Sequence, residues 1–346
     1  RRAGATSYGV RPAPDGELPF EEITFPYRPH LHQARAFARL CGDRPKSTLV
    51  ATGTGSGKTE CFLYPILDAC AARAGQRGIK AIVIYPMNAL ATDQARRFAR
   101  AIWTDPKLKG LVTAGLFIGG ESDQAVEMTA DGVITNKGHM RSNPPDVLLT
   151  NYKMLDFLLL RPDEQGLWQY NAPETLRYLV VDELHTFDGA QSTDLACLIR
   201  RLRARLRTPA GHLCCVGTSA TLGSAGAIEP LVKYARTVFA EPFAADGVIG
   251  EDVLGIDDLA QGCEVRFHGT PDPDDPKLVS GAAHGDADAY LAAQHRLWFG
   301  EEAPEPYSGD AARIVLGERL REHNLFRSLL RLAESSGRRI VSEEWL

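Results

Sequence analysis

The chain has 346 residues, 44% of them hydrophobic, with 39 Lys and Arg against 44 Asp and Glu for a formal charge of −5. That length suits two domains or one large domain with an extension, and the mild acidity gives no global signal for nucleic-acid binding, while a motor that grips the backbone through a few loops needs only a local positive groove. No apolar run reaches the roughly 20 residues that span a bilayer and no signal segment is evident, so a cytoplasmic location with no membrane partner is expected.

Residues 1–19 read as a lead-in that starts Arg1-Arg2 rather than Met, as a piece of a longer protein would. Tyr27-Arg28-Pro29-His30-Leu31-His32-Gln33 follows. Gln33 offers one amide as both donor and acceptor, enough to read a heterocycle edge, or else simply starts a helix after Pro29. A strand at 47–51 runs into Ala51-Thr52-Gly53-Thr54-Gly55-Ser56-Gly57-Lys58-Thr59-Glu60 and a helix at 58–73. This glycine-rich turn at a helix N-terminus suits phosphates, with Lys58 reaching them and Thr59 supplying a hydroxyl to magnesium.

The next strand, 81–85, is broken by Pro86 before Met87-Asn88-Ala89-Leu90 and a helix at 89–103. Strands at 112–118 and 146–150 come next, the first followed by Gly119-Gly120, a weaker motif of the same series or, in the plainer reading, just a turn, and the second by Thr150-Asn151-Tyr152 and a helix at 152–160. Asn88 and Asn151 sit where strand-end loops meet backbone phosphates, or where Asn caps a helix. The strand at 178–181 delivers Asp182-Glu183-Leu184-His185 at its C-terminal edge, where open α/β sheets bind ligands. Without that strand, an acidic pair would read as an N-cap and a first-turn acid.

A helix at 189–207 buries Leu195, Leu198, Ile199, Leu202 and Leu206 and sets arginines on its other faces, read as solvated rather than as a nucleic-acid patch. The strand at 213–218, with Cys214 and Cys215, ends in Thr218-Ser219-Ala220-Thr221-Leu222. No Cys-x-x-Cys pair and no His cluster is present, so reduced, packed thiols and no structural metal are expected. Residues 246–288 are loop-like and acidic, and 310–335 read as one or two helices. The strand–helix alternation predicts a doubly wound α/β domain with a mostly parallel sheet flanked by helices.

These motifs, in this order over residues 25–223, resemble the first RecA-like motor domain of superfamily 2 DEAD/DEAH-box helicases. Thr-Gly-Thr-Gly-Ser-Gly-Lys-Thr is the usual form of the phosphate loop there, although the strict pattern has Gly where Thr52 stands. The blocks Tyr-Pro-Met-Asn-Ala-Leu and Asp-Glu-Leu-His-Thr-Phe-Asp-Gly-Ala-Gln look like large bacterial phage-defence helicases of the Druantia and DISARM type and relatives in DNA repair.

The resemblance implies ATP and magnesium as cofactors, with Gln33, Arg28, Thr54, Gly55, Ser56, Gly57, Lys58, Thr59 and Glu60 on the nucleotide. It implies Thr59 and Asp182 on magnesium, and Glu183, Asp182 and Lys58 in the chemistry. His185, Ser219 and Thr221 would couple the site to a second RecA-like domain, which nothing after residue 223 resembles. Pro86, Asn88, Ala89, Leu90, Thr150 and Asn151 would hold a DNA or RNA backbone, with proteins of a defence system as further partners. The expected division is a RecA-like domain at 20–223, a linker or the start of an insertion at 224–289, and an incomplete helical accessory segment at 290–346. An ATP hydrolase driving a helicase or translocase, weak as this piece alone, is the main expectation. A nucleic-acid-independent phosphate-loop ATPase and an RNA helicase are the alternatives.

Overall fold

The computed structural model describes residues 10–53, 55–120, 124–219, 228–252, 254–255, 258, 262–269, 284–304 and 309–335. Thr54 and Thr221 lie outside them. The chain divides into two compact units, the first spanning Pro12–Asp252 and the second combining Val253–Leu346 with Arg1–Arg11.

The first unit is built on a seven-stranded sheet ordered β3-β4-β2-β5-β6-β1-β7. In chain order, β1 is Thr48–Ala51, β2 Ala81–Tyr85, β3 Ala114–Phe117, β4 Val147–Asn151, β5 Tyr178–Val181, β6 Cys214–Ser219 and β7 Val248–Gly250. Every pairing is parallel. Parallel strands are covered on both faces and so carry unbroken apolar runs, such as the fully buried Ala81–Tyr85. The flanking helices are α1 (Leu31–Leu40), α2 (Lys58–Ala71), α3 (Asn88–Thr104), α4 (Lys137–Ser142), α5 (Tyr152–Leu160), α6 (Gly189–Leu206) and α7 (Ile228–Phe239). Two apolar clusters sandwich the sheet, one gathered around Phe62, Ile66 and Phe98 and the other around Leu158, Ile199 and Phe239. Helix α3 shows why it packs as it does: Ala91, Ala95, Phe98 and Ile102 recur at helical spacing and are all buried.

Two expectations need correction. The stretch from 224, expected to be a linker or the start of an insertion, includes α7, which buries Val232, Ala235, Val238 and Phe239, and β7, which pairs with β1 and so belongs to the sheet. A three-residue strand is too short to show a period, and only its pairing reveals it. The α6 arginines are also more than a solvated face: Arg201 meets Asp156 of α5 at 2.5 Å, Arg203 meets Glu241 at 2.9 Å, and Arg200 donates to Thr237 O at 3.0 Å.

A polar clamp fixes the end of the sheet away from the candidate site. Buried Lys80 bonds to Asp146 and donates to Gln76 O at 2.6 Å. The second carboxylate oxygen of Asp146 accepts from the Thr113 amide and hydroxyl at 2.8 and 2.9 Å, so the starts of β2, β3 and β4 share one carboxylate.

In the second unit, α8 (Ala287–Phe299), α9 (Gly309–Glu322) and α10 (Asn324–Ser335) occupy the region expected to be helical. The His323 imidazole donates to Trp298 O and accepts the Leu325 amide, so it closes the α9–α10 turn. Among the described residues, no helix is long and apolar enough to cross a membrane.

Candidate nucleotide and nucleic-acid site

The phosphate loop joins β1 to α2, and its glycines are set by geometry. Gly57, the N-cap of α2, has φ 83°, and a Cβ there would lie 2.3 Å from Gln33 Nε2. Both the left-handed backbone and the close approach demand glycine. Thr52, the departure from the strict pattern, is fully buried, and its hydroxyl bonds to that of Ser56 at 2.7 Å. A threonine there braces the loop from within. The Ser56 hydroxyl also contacts Gly53 O at 2.8 Å and is thus committed to the loop itself. Gly55, at φ 82°, is exposed.

The acidic motif arrives from β5. Asp182 is anchored through its amide to Ile84 O at 2.9 Å and is 5% exposed. Glu183 adopts φ 50°, ψ 47°, a left-handed conformation uncommon outside glycine, which turns its carboxylate back toward the phosphate loop. There it lies 3.4 Å from Lys58 Nζ, which also donates to Ser219 O at 3.4 Å. The start of α2, the turn after β5 and the end of β6 thus meet at one ammonium group. His185 Nδ1 is 3.4 Å from both Glu183 Oε2 and the Ser219 hydroxyl.

Thr218, quoted in its motif but given no role from sequence, is completely buried. Its hydroxyl donates to Asp182 and accepts the Glu183 amide at 3.0 Å, locking the two acidic residues to the end of β6. Burial pushes the Asp182 carboxyl up, opposed by the Thr218 hydrogen bond, raised further by Glu183 beside it and lowered by Lys58. Gln94 and Glu251 were also missed. Gln94 accepts the Thr59 hydroxyl at 3.2 Å, and Glu251, just past β7, accepts the Gly53 amide at 3.2 Å. Neither carries a local motif, since the partners are 35 and 198 residues apart.

A cavity of about 290 Å³ adjoins the loop, lined by Phe25, Tyr27, Gln33 and Glu60 among others. Gln33 forms one wall with its amide oxygen accepting the His30 amide at 2.9 Å and its nitrogen donating to Gly57 O at 3.2 Å. The remaining lone pair and N–H are its capacity for a ligand. Arg28 also lines this cavity but turns its guanidinium to Ala13 O and Asp15, at 3.1 Å each. Glu60 faces Arg97 of α3 at 3.6 Å.

The strand-end loops of β2 and β4 lie side by side because Tyr85 pairs with Asn151. Asn88 accepts from Asn151 Nδ2 at 2.6 Å and donates to Gly119 O, while Asn151 caps α5 by accepting the Met154 amide at 2.7 Å. Helix α3 receives no such cap from Met87, and Met87, Asn88 and Ala89 are exposed. Pro86 and Leu90 are half-buried. Thr150 departs from expectation: it is fully buried with its hydroxyl donated to Phe117 O at 2.6 Å. It ties β4 to β3 and does not offer its side chain to a ligand.

The all-parallel sheet and the convergence of loops at its C-terminal edge define the class, a RecA-like phosphate-loop domain. The family model described as DEAD/DEAH box helicase matches residues 30–227. The chain is 27% identical to the Druantia protein DruE of Escherichia coli (strain UMEA 4076-1) over 335 residues, covering 65% of this chain and 18% of that protein. It is 29% identical over 196 residues to the uncharacterized ATP-dependent helicase MJ1574 of Methanocaldococcus jannaschii, covering 57% of this chain and 26% of the relative. Its fold is similar to that of the DUF1998 helicase MrfA bound to DNA, with TM-score 0.51 and 22% identity over 72% of this chain and 32% of that one. The chain belongs to the DEAD/DEAH box helicase family and spans 18% and 26% of the length of these two curated relatives.

Proposed function

We propose that this chain is the first motor domain of an ATP-driven helicase or translocase, and that it binds ATP with magnesium and one strand of DNA. The observation that carries the reading is that Glu183 Oε1 and Ser219 O, from the ends of β5 and β6, each lie 3.4 Å from Lys58 Nζ at the start of α2. Similarity to a Druantia protein supports a place in antiphage defence.

The donor set suits a hard divalent cation. Thr59 gives its proton to Gln94, which leaves hydroxyl lone pairs for a metal, and Asp182 adds a carboxylate oxygen. Magnesium held by this pair would supply positive charge to the β- and γ-phosphate oxygens. The ammonium of Lys58, steadied from two sides, offers its charge to the same phosphates. Glu183 takes the role of orienting the attacking water and accepting its proton. Ser219 and His185 face one another where a second motor domain would read the nucleotide state. An arginine from that domain is worth about 10³–10⁵ in rate, so this chain alone should turn ATP over slowly.

The test has two parts. Binding of a fluorescent ATP analogue with magnesium is measured on this chain, and steady-state hydrolysis on a longer protein that carries both motor domains, with single-stranded DNA, RNA or neither. Magnesium-dependent binding here and stimulation by DNA there are expected. Hydrolysis indifferent to both nucleic acids would establish the phosphate-loop ATPase unrelated to nucleic acid, and stimulation by RNA alone the RNA motor.

A further inference from the structure

A cavity of about 570 Å³ opens beside the paired loops of β2 and β4, walled by Met87, Tyr152, Phe157 and Phe187 and rimmed by Asn88 and Lys153. Its walls hold apolar surface open to water: Met87 is 62% exposed and Phe157 43%. Tyr152 is fixed edge-on against Phe187, ring centres 5.5 Å apart at 88°, so one wall is a rigid ring and not a collapsed side chain. Lys153 Nζ stands 5.9 Å from the Tyr152 ring centre, and the residues lining the cavity include no Asp or Glu. The cavity therefore combines an apolar interior with Lys153 as the one charged side chain among its lining residues.

Few ligands match both halves. An apolar side chain of another domain would fill the interior but has no use for the cationic rim, and a free anion would use the rim alone. A nucleotide unit uses both, because its base has an apolar face and its phosphate is negative. The position agrees, since Asn88 and the uncapped start of α3 are part of the rim. We infer that this cavity receives one unstacked base of the bound strand. The inference rests on the proposed binding of one DNA strand, with the strand-end loops at Pro86–Leu90 and Asn151 as its place, and it adds base stacking to what would otherwise be backbone contact alone.

The experiment compares short oligothymidylate with an abasic strand of equal phosphate number, and oligouridylate with its abasic form, titrated against this chain at fixed salt. Base-bearing strands should bind at least about fivefold tighter than abasic ones, the low end of one base–aromatic contact. Phe157→Ala and Met87→Ala should each remove most of that ratio while leaving abasic binding and the melting temperature in place, and Phe157→Trp should restore it. Met87 is the more exposed of the two, and because the Phe157 ring also carries the Arg161 guanidinium at 4.4 Å, thermal melts of both variants separate a lost base contact from a folding defect. Equal affinity for base-bearing and abasic strands, or a ratio untouched by both alanine variants, overturns the base pocket while strand binding stands. No binding of any strand overturns both.

Discussion

Lys58 is held by a carboxylate from one strand end and a carbonyl from another, so its loss removes a positioned charge and not merely a surface amine. Lys58→Ala should abolish detectable nucleotide binding, and in a protein carrying both motor domains it should cut hydrolysis by at least about 10²-fold; wild-type turnover in the variant would dismiss the phosphate-loop assignment. Glu183→Gln separates binding from chemistry. The amide fits the same left-handed backbone but cannot take a proton, so binding should persist while hydrolysis is lost. A binding defect as severe as that of Lys58→Ala would make Glu183 a ligand or a structural residue.

Asp182 gives a pH-dependent test. Its carboxyl is raised above the ordinary value of 3.8, chiefly by burial. The folded state therefore favours the protonated form, and this contribution to stability is complete below pH 3.8 and lost as pH rises through the raised value. Asp182→Asn should consequently melt above the wild type at neutral pH without magnesium, and the gap should close as pH falls toward 3.8. Thermal melts across that range decide it. A variant that melts lower at neutral pH would mean that the Thr218 hydrogen bond outweighs the desolvation.

At the scale of elements, the sheet has a chemical end and a structural end. The C-terminal edge gathers loops that must stay exposed, while Lys80 and Asp146 lock β2, β3 and β4 at the opposite edge. Lys80 is 2% exposed, so Lys80→Ala would strand a carboxylate in a site built for a pair. The expected cost is about 3–5 kcal/mol, read by chemical denaturation, far above the ~1 kcal/mol upper range of a surface ion pair. A loss under ~1 kcal/mol would mean that water reaches Asp146 freely. Element order also places Glu251: β7 pairs with β1, and that pairing alone carries a carboxylate to the phosphate-loop amide of Gly53.

For the whole molecule, strand binding should be weak, nearly independent of sequence, and less salt-sensitive than in proteins that neutralise many phosphates. The loops at the β2–β4 edge present amides and asparagines with Lys153, and the chain as a whole carries −5. Counterion release scales with the phosphates neutralised, so the slope of log affinity against log salt should be well below the values near −10 of extensively charged binders. Titration of a labelled single strand at several salt concentrations measures it. A steep slope would locate the strand on a basic surface elsewhere.

The part of the candidate site proposed for a nucleotide could be picked out in the sequence because its pattern is local. Gly55–Thr59 must be contiguous to wrap a phosphate, Asp182 and Glu183 must follow a buried strand to emerge at its edge, and unbroken apolar runs mark parallel strands by themselves. What depended on long-range pairing was not legible. Thr218 serves Asp182 only because β5 and β6 are neighbours, Glu251 reaches Gly53 only through β7, and Gln94 meets Thr59 only where α3 packs beside α2. Thr150 looked available from its place at a strand end, yet the adjacent β3 takes its hydroxyl. A residue's type and spacing reveal which groups it can offer. Which of those groups are already spent on the protein itself is decided by the neighbours that the sheet order supplies.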